Sequence, residues 1–391
     1  MATITSVRRS GFGRHAAGRL GSNPAAPWRH LDLVLVGCIG AISCLGVAMV
    51  YSATRGPGGI EPFDTSFLKR QALFTVLGFG LMIATAVFDY RRFRDLAPLI
   101  YGATCALLVL VVSPLGSERK GTQAWFQLGP FQLQPSEITK IALIVGLAAL
   151  AAQFRDELDE RRLGALLLTA AVPLGLIMLQ PDLGTALVMV AITAGILLVG
   201  GAEPKHFAAI VAVGVLGSAV VLNSDMLADY QRDRLTTFLN QGGDEAAQGE
   251  AYNLEQSIIA IGAGGPFGKG FGQGTQTRLN NVPEQHTDFI FTAVGEELGF
   301  AGAGTLLALF AIVAWRVWRT AQLARDDFGS LICVGVLCML LFQVFENVGM
   351  TMGIMPITGI PLPLVSYGGS STLATFVALG LVLNVHSRRF S

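Results

Sequence analysis

The fold class is decided by an apolar run near the start of the chain, Leu31–Ala53, which reads LDLVLVGCIGAISCLGVAMVYSA. Crossing the hydrocarbon core of a bilayer as a helix takes about 20 mostly apolar residues, and this run is long enough. It is too long, and begins too far from the N-terminus, to be the apolar part of a cleaved signal peptide. The run therefore predicts a transmembrane helix.

The composition extends this prediction to the whole chain. Its 391 residues are 52% hydrophobic and 14% charged, with a mean hydropathy of +0.56. A soluble globular protein carries about 25% charged residues. Apolar runs recur almost to the C-terminus, so we expect an all-α polytopic membrane protein with ten transmembrane helices. The predicted spans are residues 31–53, 68–88, 96–113, 136–153, 163–180, 182–202, 207–223, 288–315, 328–350 and 370–386.

The distribution of basic residues predicts the orientation of these spans. Residues 1–30 contain five arginines and no acid, and Lys or Arg near the end of a span holds that end in the cytoplasm. The loops that then face the cytoplasm are also basic, as is the C-terminal end with Arg388 and Arg389. Both termini are therefore predicted to be cytoplasmic, with 1–30 as a disordered basic tail and 31–391 as the membrane domain.

The boundary between the fifth and sixth spans has two interpretations. The apolar stretch Leu163–Gly201 is interrupted at Gln180-Pro181-Asp182. The Pro-Asp step favours a tight turn at the outer surface. The alternative is a broken helix that places Asp182 inside a cavity. Asp182 and Thr185 could border a functional site in either case.

Three segments are predicted to face outward: residues 114–135, 223–287 and 353–371. The second is a large extracellular loop between the seventh and eighth spans, and structureless loops of such length are usually functional. Its apolar positions within Glu250–Ala263 predict a short helix lying on the outer bilayer surface. The nearby glycine-rich run Gly268–Gly274 does not match a P-loop, because Gly270 follows Lys269. Flexibility beside an active site is the preferred interpretation.

The strongest functional signal is NVPEQHTDFIF, residues Asn281–Phe291, where ionisable groups stand directly before the eighth span. A carboxylate at the boundary between water and hydrocarbon is costly to place, so chains that carry one there usually use it. Asp288 is the last charge before the apolar segment, and Glu284 and His286 stand just upstream. This placement predicts acid–base or electrostatic chemistry on a substrate that resides in the membrane.

Other polar residues are predicted to lie near the same surface. Glu137 and Lys140 are three residues apart at the start of the fourth span and can pair. A lysine inside a span costs about 3 kcal/mol on insertion scales, so Lys140 is expected to face a wet cavity. Trp125 follows Arg119 and Lys120. It is either an ordinary interfacial tryptophan or a platform for a sugar or prenyl chain, with the two cations meeting phosphate.

Polar groups also occur inside the eighth and ninth spans, at Glu296–Glu297 and at Gln343, Glu346 and Asn347. Such groups commonly form hydrogen bonds between helices. The alternative is that they line the same cavity as Lys140.

Four parts of the chain together resemble the SEDS family (shape, elongation, division and sporulation) of bacterial cell-wall proteins. The matching parts are Gly121–Lys140, Gln180–Thr185, Pro283–Phe291 with Glu296–Gly299, and Pro356–Ser371. They are spread over most of the chain and are jointly very specific. Within the family, IPLPLVSYGG from Ile360 resembles the elongation branch, RodA, more than the division branch, FtsW.

The resemblance implies a peptidoglycan glycosyltransferase of the bacterial cytoplasmic membrane that polymerises lipid II at its outer face. On the family's motif positions, Asp288 is the essential acid and serves here as a base for an inverting reaction. The expected substrate-binding residues are Trp125, Glu137, Lys140, Arg119, Lys120, Glu284, His286 and Ser366.

The resemblance also implies partners: lipid II, a class B penicillin-binding protein with transpeptidase activity, and membrane proteins of the elongation complex, but no nucleic acid. No organic cofactor is expected, whereas Mg²⁺ or Mn²⁺ bound mainly through the pyrophosphate would need no protein cage. Two other functions remain open, a flippase or transporter for the same lipid and a scaffold that only recruits a partner. Within the family, the alternative is a division-type polymerase.

Overall fold

The described part of the chain consists of eleven helices and a small sheet. The computed structural model describes residues 31–55, 65–119, 122–129, 131–154, 159–203, 205–206, 208, 250–279 and 281–389. The helices are α1 (Leu33–Ala53), α2 (Ser66–Val87), α3 (Tyr90–Val112), α4 (Pro135–Phe154), α5 (Glu160–Met178), α6 (Leu183–Val199), α7 (Glu250–Gly264), α8 (Thr275–Arg278), α9 (Ile290–Gln322), α10 (Asp327–Thr351) and α11 (Gly369–Ser387). The strands are β1 (Ser117–Arg119), β2 (Thr122–Leu128) and β3 (Phe131–Leu133).

Nine of the helices, α1 to α6 and α9 to α11, overlap nine predicted spans, with ends that differ by up to seven residues. Eight of them, α1 to α5 and α9 to α11, are long and apolar enough to cross a membrane. The apolar helix α6 has 17 residues and coincides with the sixth predicted span. The seventh predicted span, residues 207–223, lies outside the described residues, as does the basic tail 1–30. The prediction of an all-α polytopic membrane protein is confirmed.

Three helices, α4, α10 and α11, form the interior of the bundle. α10 packs against α4, α6, α9 and α11, while α11 packs most extensively against α2. In the apolar stretches of α4, α10 and α11, 61%, 67% and 78% of the residues are buried, compared with 22% in α3 and in α9. Polar residues on α4 and α10 therefore lie inside the protein and not against lipid.

The consecutive helices α2 and α3 pack on different neighbours. α2 packs against α11 and α1, whereas α3 packs mainly against α4 and α5. Exposed leucines remain on both, including Leu73, Leu77 and Leu81 on α2 and Leu96 and Leu99 on α3. Because these helices lie in a membrane, the leucines present an apolar surface to lipid.

The chain turns between α5 and α6, as the favoured interpretation predicts, while the location of the turn at the outer surface stays a prediction. α5 ends at Met178, α6 begins at Leu183, and the two helices pack on each other. Asp182 caps α6 by accepting hydrogen bonds from the backbone N–H and the Oγ1 of Thr185, at 2.9 and 2.8 Å. It also accepts one from Nε2 of Gln134, at 3.3 Å, which joins the starts of α4 and α6.

The first outward segment forms a three-stranded antiparallel sheet that the sequence analysis did not predict. β2 pairs with both neighbours, in the order β1-β2-β3. The available signal was WFQLGPFQL, two short runs rich in aromatic and apolar residues around Gly129-Pro130. Ser370 at the start of α11 holds the sheet in place. Its Oγ donates to the carbonyl of Gln132 and accepts from the N–H of Gln134, both at 3.0 Å.

The predicted helix in the large outward loop is present as α7, and it packs against α9 and α10. Leu254 and Ser257 are buried, and Ser257 Oγ hydrogen-bonds to Thr292 Oγ1 on α9. Ile258 and Ile259 are 45% and 44% exposed. The contacts with α9 and α10 fix the position of α7, while its placement on the bilayer surface stays a prediction.

A sharp break divides α9 at Gly299, which has a φ of +65°. The backbone of the glycine-rich run approaches so closely that a Cβ on Gly299 would lie 2.2 Å from the backbone nitrogen of Gly268. A side chain at either position would therefore clash, and glycine is required for the close approach.

Two buried carboxylates, those of Glu296 and Glu297, hold the glycine-rich run in place. Glu296 pairs with Nζ of Lys269 at 2.8 Å and accepts backbone hydrogen bonds from residues 276 and 277. Glu297 accepts hydrogen bonds from Ser52 Oγ on α1 at 2.7 Å and from the Gly272 N–H at 3.0 Å. These contacts favour the interpretation that Glu296 and Glu297 form structural hydrogen bonds over the interpretation that they line a cavity. They also anchor the glycine-rich run, which the sequence analysis interpreted as flexible.

The predicted cytoplasmic end of the bundle is joined by Asp32. Its side chain is fully buried, caps α1 by accepting from the Leu35 N–H, and accepts from both Nε and Nη2 of Arg316 at 2.6 Å. The last helix approaches as well, with His386 Nδ1 4.0 Å from the same carboxylate. One acidic side chain thus links α1, α9 and α11.

We expect Asp32→Asn to destabilise the protein markedly. The substitution leaves Arg316, whose side chain is 17% exposed, without its counter-charge. Breaking a buried pair costs about 3–5 kcal/mol, and the partial exposure of Arg316 places the expected loss toward the lower end. Thermal unfolding of the purified protein measures the loss. Asp89→Asn is the matched control, since Asp89 also caps a helix but is 35% exposed and lies 3.7 Å from Arg388. Asparagine caps a helix about as well as aspartate, so Asp89→Asn is expected to cost little, and equal effects of the two substitutions would contradict the expectation.

Candidate active site

Asp288 lies in the turn that leads into α9 and is half-buried. Its carboxylate is directed toward Gly359 in the third outward segment, where a Cβ would stand 3.4 Å from Asp288 Oδ2. Gly359 has a φ of +74°, a conformation that favours glycine. The backbone of the third outward segment therefore approaches this carboxylate closely.

Asn347 on α10 connects the two segments that meet at Asp288. Its Nδ2 donates hydrogen bonds of 2.7 Å to the carbonyl of Asp288 and to the carbonyl of Ile360. The neighbouring Glu346 accepts from Thr358 Oγ1 at 3.0 Å. Because both residues are fully buried, α10 provides a rigid support that fixes the backbone around Asp288. The sequence analysis noted Asn347 only as a polar group within a span.

We expect Asn347→Leu to reduce activity at the site at least tenfold. Leucine has a similar size but no donor, so two buried carbonyls lose their partner, and each such loss costs about 1–3 kcal/mol. The control is Gln343→Leu, one turn away on α10, because Gln343 is equally buried and its Oε1 has no hydrogen-bond partner within the described chain. Measuring turnover and thermal unfolding for both variants separates a loss of activity from a loss of stability. A smaller loss for Asn347→Leu than for the control would contradict this role.

His286 belongs to an aromatic cluster beside the Asp288 segment. Its ring centroid lies 5.0 Å from that of Phe67 on α2 and 5.7 Å from that of Tyr367. The His286 carbonyl accepts from the Tyr367 N–H at 2.9 Å. These three half-buried rings join the start of α2, the Asp288 segment and the third outward segment.

Ser366 is 2% exposed and is engaged within its own segment. Its Oγ accepts from the Leu362 N–H at 2.8 Å, and its carbonyl accepts from Nε2 of Gln71 on α2 at 3.2 Å. Gln71 is a fully buried amide inside the second span, and the sequence analysis missed it. An amide in an otherwise apolar run was the available signal.

Glu137 and Lys140 form the predicted pair on one face of α4. Lys140 Nζ lies 2.7 Å from Glu137 Oε1, with side chains 3% and 4% exposed for Lys140 and Glu137 respectively. Breaking such a pair is costly because it leaves one buried charge without a partner. The two residues lie in the interior formed by α4, α10 and α11 and not against lipid.

Several buried polar atoms on α4 and α10 have no protein hydrogen-bond partner within the described chain. They include Ser136 Oγ, Gln343 Oε1, Glu346 Oε2 and Asn347 Oδ1. Nearly all buried polar atoms in proteins are satisfied by protein or water. This part of the interior is therefore suited to water or to a polar ligand.

The remaining predicted residues are more dispersed. Glu284 is exposed, and its Oε2 accepts from Thr287 Oγ1 at 3.1 Å. Trp125 is half-buried on β2, where its carbonyl accepts from Ser117 Oγ at 3.0 Å. Arg119 ends β1, and Lys120 lies outside the described residues. The structure thus brings Asp288, His286 and Ser366 into one connected region, with the sheet joined to it through α11.

Comparisons with known proteins agree with this architecture. Residues 32–390 match the FtsW/RodA/SpoVE family model, described as "Cell cycle protein". The chain is 36% identical over 361 residues to the "Probable peptidoglycan glycosyltransferase FtsW" of Geobacter sulfurreducens, covering 91% of this chain and 95% of that protein. It is 34% identical over 360 residues to the "Peptidoglycan glycosyltransferase MrdB" of Escherichia coli K12, with 92% and 94% covered.

A solved structure shares the fold as well. It comes from a study of the structural coordination of polymerization and crosslinking by a peptidoglycan synthase complex, and matches with a TM-score of 0.77 and 34% identity over 92% of this chain and 99% of that one. Fold and site define a multi-pass membrane protein with buried polar residues on its inner helices and an acidic residue, Asp288, just before α9 begins. The chain belongs to the FtsW/RodA/SpoVE family, that is, to the SEDS proteins.

Proposed function

We propose that this protein is an inverting peptidoglycan glycosyltransferase that polymerises lipid II at the outer face of the bacterial cytoplasmic membrane. The observation that carries the proposal is the position of Asp288. Its carboxylate stands at the edge of the membrane domain beside Gly359, while Asn347 fixes its backbone from inside the bundle. The relatives named as peptidoglycan glycosyltransferases support the same reaction.

Asp288 is assigned the role of general base. The 4-hydroxyl of one lipid-linked disaccharide attacks C1 of the sugar on a second molecule. As the new C1–O bond forms, the hydroxyl proton passes to the Asp288 carboxylate, and the bond from C1 to the pyrophosphate oxygen breaks. Proton transfer of this kind contributes about 10²–10⁴-fold to rate. A single displacement inverts C1 and requires no covalent sugar–enzyme intermediate.

The substrate's lipid tail requires an apolar path that connects the site to the bilayer. α2 and α3 pack on different neighbours and carry exposed leucines. Phe74 on α2 contacts Phe131 of β3, with ring centroids 5.8 Å apart. The outward part of α2 therefore borders lipid on one side and the sheet on the other, as a site for a polyprenyl-linked sugar requires.

The departing pyrophosphate needs its charge neutralised. Lys140 is retained as one proposed source of positive charge, and Mg²⁺ or Mn²⁺ bound through the pyrophosphate as another. In the described ranges no group of three or more His, Cys, Asp or Glu side chains could hold a metal ion. The proposed divalent ion would be bound mainly through the substrate's own oxygens, and we assign no step of the mechanism to it.

The proposed partner is a class B penicillin-binding protein that crosslinks the strands, together with membrane proteins of the elongation complex. The matching solved structure concerns a synthase complex that coordinates polymerization with crosslinking. Elongation is proposed as the cellular role because of the IPLPLVSYGG motif from Ile360, although relatives named for division match over similar lengths.

Incubating the purified protein with lipid II, with and without the partner transpeptidase, tests the proposed function. Long glycan strands separated by electrophoresis are the expected product. In parallel, the protein is reconstituted into liposomes with fluorescent lipid II. Movement of the lipid between leaflets without any strands would replace the polymerase by a flippase, and neither activity would favour a scaffold.

A further inference from the structure

Two exposed cations, Lys69 and Arg70, stand in the first turns of α2 at the predicted outward end. Cations at a helix N-terminus are opposed by the positive end of the helix dipole. Basic residues flanking membrane spans are also expected mainly on the cytoplasmic side. Within the described residues, neither side chain makes an ion pair or a hydrogen bond. The positive-inside rule is thus broken at both residues and the dipole rule at Lys69, which ends the first turn, and an anionic ligand would offset the cost.

The helical register distinguishes the two residues. Arg70 precedes Phe74 by one turn, so the two side chains share a face. Phe74 contacts Phe131 of the sheet and lies against Gly369 at the start of α11. Arg70 is also three residues from Phe67, which contacts His286. Arg70 therefore stands between the sheet and the Asp288 segment.

Lys69 points elsewhere. It lies two residues from Phe67 and one before Arg70, which on a helix turns it away from the face toward His286. Leu73 and Val76, on the face of Lys69, are 44% and 68% exposed. Lys69 thus continues the lipid-facing surface, where its ammonium can extend to the interface.

An apolar stripe runs from Arg70 into the membrane. Leu77 and Leu81 lie on the same face of α2 as Arg70, seven and eleven residues further along, and are 47% and 42% exposed. A cation at headgroup depth above an apolar stripe matches a ligand whose diphosphate is attached to a long hydrocarbon chain. Arg is also well suited to phosphate oxygens, which its guanidinium can bind in a bidentate manner.

We propose that Arg70 binds the diphosphate of the lipid-linked donor sugar. This inference rests on the proposed function and supplies the positive charge that the leaving group requires. Lys140 is less available for that role, because it is 2% exposed and already paired with Glu137 at 2.7 Å. Arg70 is exposed, and its long side chain can follow the diphosphate as the bond to C1 breaks.

Binding measurements with a non-reacting background test the inference directly. Asp288→Asn protein in detergent is titrated with lipid II, with undecaprenyl pyrophosphate and with the uncharged undecaprenol, and binding is followed by native mass spectrometry. Adding Arg70→Gln is expected to weaken binding of both diphosphate lipids about tenfold, as for loss of a charge-assisted hydrogen bond. Undecaprenol binding is expected to stay the same, and Arg70→Lys to keep most of the affinity.

Lys69→Gln is the matched control, since it removes the same charge one residue away. Equal weakening by Lys69→Gln and Arg70→Gln would indicate general surface attraction and overturn the proposal. So would unchanged diphosphate binding in Arg70→Gln, or parallel loss of undecaprenol binding. If otherwise wild-type protein polymerises lipid II and Arg70→Gln binds diphosphate normally, only this inference fails. If wild-type protein makes no strands under any condition, the proposed function fails.

Discussion

Asp288→Asn is expected to abolish glycan polymerisation while leaving the protein folded. Asparagine has the same size as aspartate, and the backbone carbonyl of residue 288 still accepts the hydrogen bond from Asn347. The asparagine side chain, however, cannot accept the hydroxyl proton. Loss of a general base lowers rates by about 10²–10⁴-fold. The measurement is the initial rate of lipid II consumption by purified protein, with strand length read on gels.

The control for this substitution is Glu255→Gln, which removes an exposed carboxylate from α7 on the same side of the bundle. It is expected to keep activity within about twofold, as surface changes away from a site usually do. Matching thermal unfolding curves would show that both variants are folded. Substantial polymerisation by Asp288→Asn would remove Asp288 from the base role.

Lys140→Met is expected to have the second largest effect, on both stability and activity. It leaves the Glu137 carboxylate buried without its partner at 2.7 Å, and breaking a buried pair in this way costs about 3–5 kcal/mol. We expect a clear drop in the unfolding temperature together with loss of polymerisation.

The double substitution Glu137→Gln with Lys140→Met separates folding from chemistry. It removes both charges and keeps the side-chain volumes, and replacing a whole buried pair is often neutral for stability. The double variant is therefore expected to unfold near the wild-type temperature but to polymerise lipid II at least tenfold more slowly. Wild-type activity in a stable double variant would show that the pair only supports the fold.

Hydropathy predicted the spans because the length and apolar composition that let a helix cross a membrane can be read from one continuous segment. The predicted 328–350 and the observed Asp327–Thr351 of α10 differ by one residue at each end. The pairing of Glu137 with Lys140 was equally local, since both residues lie on one face of α4. Asp288 could be singled out for a similar reason, because its position against an apolar segment is visible in the chain itself.

The contacts that hold the site together join distant parts of the chain, so no local pattern in the sequence predicts them. Asn347 reaches Asp288 across 59 residues, and Gln71 reaches Ser366 across 295. An amide within a span indicates that some partner exists, but its spacing does not identify which one. The sheet was missed because its strands are short and its hairpin turn lies within a segment interpreted as a loop.

The pairing of Asp32 with Arg316 constrains the order in which the chain matures during synthesis. The two residues are 284 positions apart, so the ribosome finishes most of the membrane domain before the acid at the start of α1 meets its cation. Until then α1 carries an uncompensated charge at the bilayer boundary. A chain that stops before α9 lacks Arg316, so the Asp32 carboxylate at the start of α1 stays without this partner.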